Sequence, residues 1–155
     1  MIMNTLMTAE RLFSLIFTRE ESYNAAVIMP MDVVEAESRY LVPVVGSALY
    51  EAMLGGGYAE LVAEYVAPMV AAWVRYVVEP HLASRCCMCH SERDITEAVN
   101  ENSERVMRAL RERAVALTRR LSDYLNAHSV DYEEYNREDN PLNRCFIYGD
   151  IVQVY

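Results

Sequence analysis

Residues 58–82 constrain this chain more than any other stretch. Tyr58, Leu61, Val62, Tyr65, Val66, Met69, Val70, Trp73 and Val77 recur at intervals of three and four, the spacing of one helix face. From Tyr65 to Val78 almost every face is apolar. A helix that is apolar all round is buried on several sides, so the chain must supply other elements to cover it. Pro68 falls inside the run and predicts a kink or restart, because proline lacks an N–H and its ring clashes with the preceding turn. Trp73 and its Met and Val neighbours are expected in the core.

The covering elements are also helical by pattern. Thr8 can cap a short helix through Phe17 that buries Leu12, Leu15 and Ile16. Thr18 and Glu21 have capping-box spacing, which predicts a helix over residues 22–29 ended by Pro30. Asp32 can cap a further helix running to Tyr40. Residues 101–128 form the clearest amphipathic pattern, with Val106, Leu110, Ala114, Leu117, Leu121, Tyr124 and His128 on one stripe. Residues 84–99 read as a polar connection. The expectation is all-α, a compact bundle of about five helices, in residues 1–130.

Residues 131–155 differ. Residues 131–139 are acidic, lack aliphatic side chains and read as a linker. The stretch from Arg144 to Tyr155 is rich in β-branched and aromatic residues and reads as a strand-like tail. Phe146, Tyr148, Ile151, Val152 and Val154 are too apolar to stand in water, so the tail is expected to dock in extended form on a partner or on its own body. A short hairpin turning near Gly149-Asp150 is the local alternative.

Charge narrows the function classes. The net charge is -9 and lysine is absent, which argues against sequence-independent nucleic-acid binding. Between Glu104 and Arg120 lie six arginines and two glutamates, a local +4, so the remainder carries -13. A basic helix in an acidic body points to pairing within or between subunits, and Arg108 and Arg119 are the candidate contact residues. The longest wholly apolar run, residues 65–74, covers about half of the ~20 residues a bilayer requires. No secretory pattern opens the chain. The expectation is an intracellular protein with no membrane partner.

Catalytic signatures are missing from the sequence. There is no H-E-x-x-H, G-x-S-x-G, P-loop or G-x-G-x-x-G motif. Cys86, Cys89 and His90 have metal-ligand spacing, but a structural zinc needs four ligands and no second pair exists in sequence. The run 86–90 also matches C-x-x-C-H, without an export signal or a cytochrome-like context. The chain is expected to be no enzyme and to hold neither cofactor nor metal.

The motif with the sharpest shape is Arg39-Tyr40-Leu41-Val42-Pro43-Val44-Val45-Gly46-Ser47-Ala48-Leu49-Tyr50, followed by Gly55-Gly56-Gly57. Proline is tolerated in a first helical turn and glycine stops a helix, so the segment predicts a helix opening at Pro43 and closing at the glycines, with Leu49 buried and Gly46 leaving a small notch. This segment resembles the helical head–tail connector (adaptor, or head-completion) proteins of tailed phages and prophages, in particular the branch common in gut Bacteroidetes phages. That branch shows an aromatic-Leu-x-Pro-x-x-Gly-x-x-Leu-Tyr motif, then a Gly/Asn-rich turn, an apolar helix with an internal proline, a polar loop and a charged helix. The order of elements agrees over residues 31–128. The Cys86–His90 cluster and the lack of lysine depart from the family pattern. The resemblance implies an all-α protomer that assembles as a homo-oligomeric ring beneath the portal and extends the DNA channel. It implies portal and tail-completion proteins as partners, no catalysis, and a place in the virion after assembly in the cytoplasm of the bacterial host. The competing expectation is an intracellular helical adaptor that binds one protein partner through its C-terminal segment.

Overall fold

The computed structural model describes residues 4–18, 21, 23–82, 85, 97–148 and 151–154, and of residues 97–102, 145–148 and 151–154 the backbone alone. The body is all-α. Helix α1 (Ala9–Ile16) is capped by the Thr8 hydroxyl, which accepts from the Arg11 N–H at 3.3 Å. Helix α2 (Pro30–Ala36) runs into a π-helical turn, Glu37–Leu41, and on into α3 (Val42–Val45). After a break at Gly46 comes α4 (Ser47–Leu54). Helix α5 (Ala59–Leu61), a second π turn (Val62–Val66) and α6 (Ala67–Val78) form the central rod. The long α7 (Glu97–Ala127) packs along α6, which also carries α1 and α2.

Leu61, Val66, Met69, Val70, Val74 and Val78 of the rod are buried at the centre of one continuous core. Trp73 is buried with them, as expected. The helical stretch Ala59–His81 has the length and hydropathy, 1.4, of a bilayer-crossing helix, which the count of uninterrupted apolar residues understated. Core helices meet the same test, and this one lies under α1, α2 and α7.

Pro43 and Pro68 each follow a π turn. The N–H of Val42 bonds to the Glu37 carbonyl and that of Ala67 to the Val62 carbonyl, five residues back in each case. Pro43 and Pro68 come one residue later, in the first turn of α3 and of α6, where a missing N–H costs least. So Pro68 restarts a helix, as expected. Pro43 does not open the helix that ends at the glycines. That helix is divided at Gly46, whose φ of +82° is open to glycine and strained for other residues. The expected stop holds: α4 ends at Leu54, Gly55 caps it and Gly56 takes φ +90°. Val45, Leu49 and Met53 are buried, Leu49 completely.

Other expectations are corrected. The helix expected over residues 22–29 is a single 3-10 turn, Ala25–Val27, capped by Asn24. Glu21 does accept from the Thr18 N–H at 3.0 Å, but this bond closes a local turn. Pro30 begins α2 instead of ending a helix, and Asp32 sits in its first turn, accepting from the Met29 N–H at 2.8 Å. Leu15 is half exposed. On α7 the buried positions are Ala114, Thr118, Leu121, Ser122 and Leu125, while Val106 and His128 are exposed, because the stripe turns away from the body toward both ends.

The acidic segment 131–139 is seated on α7. Tyr132 and Tyr135 are buried, their apolar rings giving the segment the contact area its sequence otherwise lacks. Tyr135 donates to Asn126 Oδ1 at 2.8 Å, and the buried Asn140 amide donates to Tyr135 Oη at 2.9 Å and Ser122 Oγ at 2.8 Å. Beyond it, β1 (Cys145–Tyr148) and β2 (Ile151–Val154) pair antiparallel as a hairpin, the local alternative for the strand-like tail.

Candidate interaction surface

Two features converge on one side of the bundle. The first is an apolar pocket of about 210 Å³. Tyr40, Pro43 and Val44 form one wall, Trp73 the floor, Val115 and Thr118 of α7 the opposite wall, and Leu142 the end. Arg39 and Arg119 also line it. The Tyr40 ring lies flat on Trp73, centroids 3.7 Å apart and planes within 3°. Trp73 Nε1 donates to Thr118 Oγ1 at 2.8 Å, and that hydroxyl donates to the Ala114 carbonyl at 2.8 Å. The buried polar atoms of the floor are therefore satisfied and the indole is fixed in place. Burial pushes the Tyr40 phenol up, opposed by the positive charges of Arg39 and Arg111. It stays neutral at physiological pH.

The second feature is a groove of about 460 Å³ along the exposed flank of α7, lined by Arg108, Arg111, Glu112, Val115, Ala116 and Arg119. It shares Val115 and Arg119 with the pocket. Among the described residues, none of the arginines at 105, 108, 111, 113, 119 and 120 makes an ion pair within 4.0 Å. Arg120 instead lies over the Tyr65 ring, 4.9 Å from its centroid. The pairing of α7 arginines with acids of the same protomer, one of the two expected arrangements, is thus not seen among these residues. The arginines paired among the described residues are others: Arg85 forks onto Asp32 at 2.6 and 3.1 Å, Arg75 meets Glu21 at 3.1 Å and Glu79 at 2.7 Å, and Arg39 meets Glu35 at 3.4 Å.

A second apolar cavity, about 230 Å³, lies between α1, α6 and α7 and is lined by Leu15, Ile16, Pro68, Ala71, Ala72, Leu110 and the stems of Arg75 and Arg113.

Arg108 and Arg119, predicted from charge alone, lie together in the groove. Phe146 and Tyr148 are on β1, with Ile151, Val152 and Val154 on β2. The register sets Phe146 opposite Gln153, Tyr148 opposite Ile151 and Ile147 opposite Val152. The side chains of these five lie outside the described residues, as does the Cys86–His90 cluster. Among the described residues no group of three or more His, Cys, Asp or Glu side chains is placed to hold a metal ion. Sequence reasoning missed the pocket: Tyr40, Val115 and Leu142 are 75 and 27 positions apart and no spacing links them. Thr118, a polar residue among the leucines of α7, was the one local sign.

No protein-family model matches this chain, and no curated protein or solved structure is significantly similar to it.

Proposed function

We propose that the protein is a non-enzymatic structural component of a phage or prophage virion, a connector that forms a ring between portal and tail and extends the DNA channel. The observation that carries this reading is how the motif at residues 39–50 divides its side chains. Leu41, Val45 and Leu49 go into the core, while Tyr40, Pro43 and Val44 line an open apolar pocket beside the arginine groove of α7. A motif that both frames the core and shapes a surface suits a protein whose work is assembly. The partners are further copies of the chain, the portal and tail-completion proteins; no cofactor or specific nucleic-acid sequence takes part. The protein would be made in the host cytoplasm and end in the virion. Acidic net charge suits a DNA conduit, since it repels phosphate.

Native mass spectrometry and negative-stain microscopy of the purified protein, alone and mixed with its portal, test the reading. Closed rings, or rings seeded on the portal, are expected. A chain that stays monomeric at high concentration and does not bind portal would overturn it.

One observation favours the adaptor alternative. The C-terminal sheet has two strands among the described residues, and each keeps one edge unpaired. Open edges invite a partner's strand.

A further inference from the structure

A second set of charges gathers where the start of α5 meets the segment that follows α7. Tyr58 donates to Glu134 at 2.6 Å, and its ring packs on Tyr132 at 5.0 Å. Glu60 follows Tyr58 by two residues, Asp131 and Glu133 flank Tyr132, and these three acids and Glu134 are all exposed. The hydrogen bond to Glu134 holds the Tyr58 phenol up, with desolvation and the negative charges of Glu134 and Glu133 adding to the rise. No arginine pairs with these acids among the described residues. Tyr124, which stacks edge-on against Tyr132, lies five residues beyond Arg119 on α7. At 3.6 residues per turn that is about 140° round the helix. The basic groove and the acidic patch therefore point to different sides and cannot close on each other within one protomer.

From this geometry we propose that the partner of the Arg108–Arg111–Arg119 groove is the Glu60–Glu133–Glu134 patch of a second copy of this chain. The charge complementarity is on both sides of the contact. The groove carries three arginines against one acid, Glu112, on a chain of net charge -9, and among the described residues neither these arginines nor the acids of the patch have ion-pair partners. The apolar pocket adjoining the groove supplies the dry centre that charges alone lack. Such a contact joins unlike surfaces, so it repeats from copy to copy and generates a ring where the rotation closes and a filament where it does not. The inference rests on the self-association proposed above, and it names the surfaces that carry it.

Charge exchange in the full-length chain tests it. Arg108→Glu with Arg119→Glu should abolish association, measured by sedimentation velocity at low and moderate salt. Glu60→Arg with Glu133→Arg should do the same; these two acids carry no side-chain hydrogen bond among the described residues, so folding is spared. All four exchanges in one chain should restore association to within about tenfold of the wild-type constant, since opposite charges face each other again. Circular dichroism and thermal melting on each variant establish that it is folded. Rings that persist in both double variants would overturn the inference while leaving the connector reading intact. Restored open filaments or dimers, with no ring under any condition, would support the inference and remove the connector reading. A wild-type chain that never associates would overturn both.

Discussion

Glu37 is the residue with the most to lose. It lies in the first π turn, 1% exposed, and its carboxylate accepts from three donors: Leu6 N–H and Met7 N–H at 3.0 Å each, and Tyr50 Oη at 2.6 Å. It thereby ties the N-terminal segment to the motif helix. Burial raises its pKa above the ordinary 4.5, the three hydrogen bonds opposing the rise in part. The folded chain then keeps this proton to higher pH than the unfolded chain does. Its contribution to stability is full below about pH 4.5 and falls away as pH climbs through the raised value. Denaturant midpoints measured from pH 4 to 8 should show this decline, and Glu37→Gln should flatten it. The glutamine also leaves one donor unsatisfied, at a cost of about 1–3 kcal/mol. Leu49→Ala, at a completely buried site, should cost about 2–5 kcal/mol in the same measurement with no effect on the pH slope. The burial of Leu49 was legible from its place between Pro43 and the glycines. The clamp on Glu37 was not: a glutamate in a helical run looks like any solvent-facing acid, and its donors sit 13, 30 and 31 residues away.

Elements were legible where the pattern was long. The rod 58–82 and the helix 101–128 follow from periodicity, because their apolar faces repeat over many turns. Short elements failed: residues 22–29 offer a capping box but too few turns to propagate a helix, and tertiary contacts reduce them to one 3-10 turn. Gly46 was read as a notch, whereas it is a break. A Cβ built there meets nothing within 4 Å, so Gly46→Ala tests backbone strain alone. Forcing alanine to φ +82° and ψ 157° should cost about 1–3 kcal/mol. Gly55→Ala, at an ordinary helical φ, should cost less in the same thermal-melting series. Equal losses at the two sites would mean that Gly46 does not need its left-handed conformation.

At the scale of the whole molecule, the division at residue 131 is less sharp than composition suggested. Acidic charge signals a linker, yet Tyr135 and Asn140 anchor the segment through bonds to Asn126 and Ser122, and the buried Tyr132 ring packs on Tyr124. The pocket and groove were illegible for a related reason: they are assembled from residues far apart in sequence, and only the fold adds them up. Truncation after Asn143 removes the hairpin but spares these anchors. It should leave helix content by circular dichroism unchanged while weakening binding to portal or neighbour; undiminished binding would move that interface to the helices. The two π turns carry a last consequence. Each holds one residue more than an α turn would, and each is followed by a proline. Removing one residue from 37–41 or 62–66 would rotate everything upstream by about 100° and draw it in by about 1.5 Å. The extra residue and the proline thus form a matched pair: a distant cousin that has lost Pro43 or Pro68 should align here only with a gap of one.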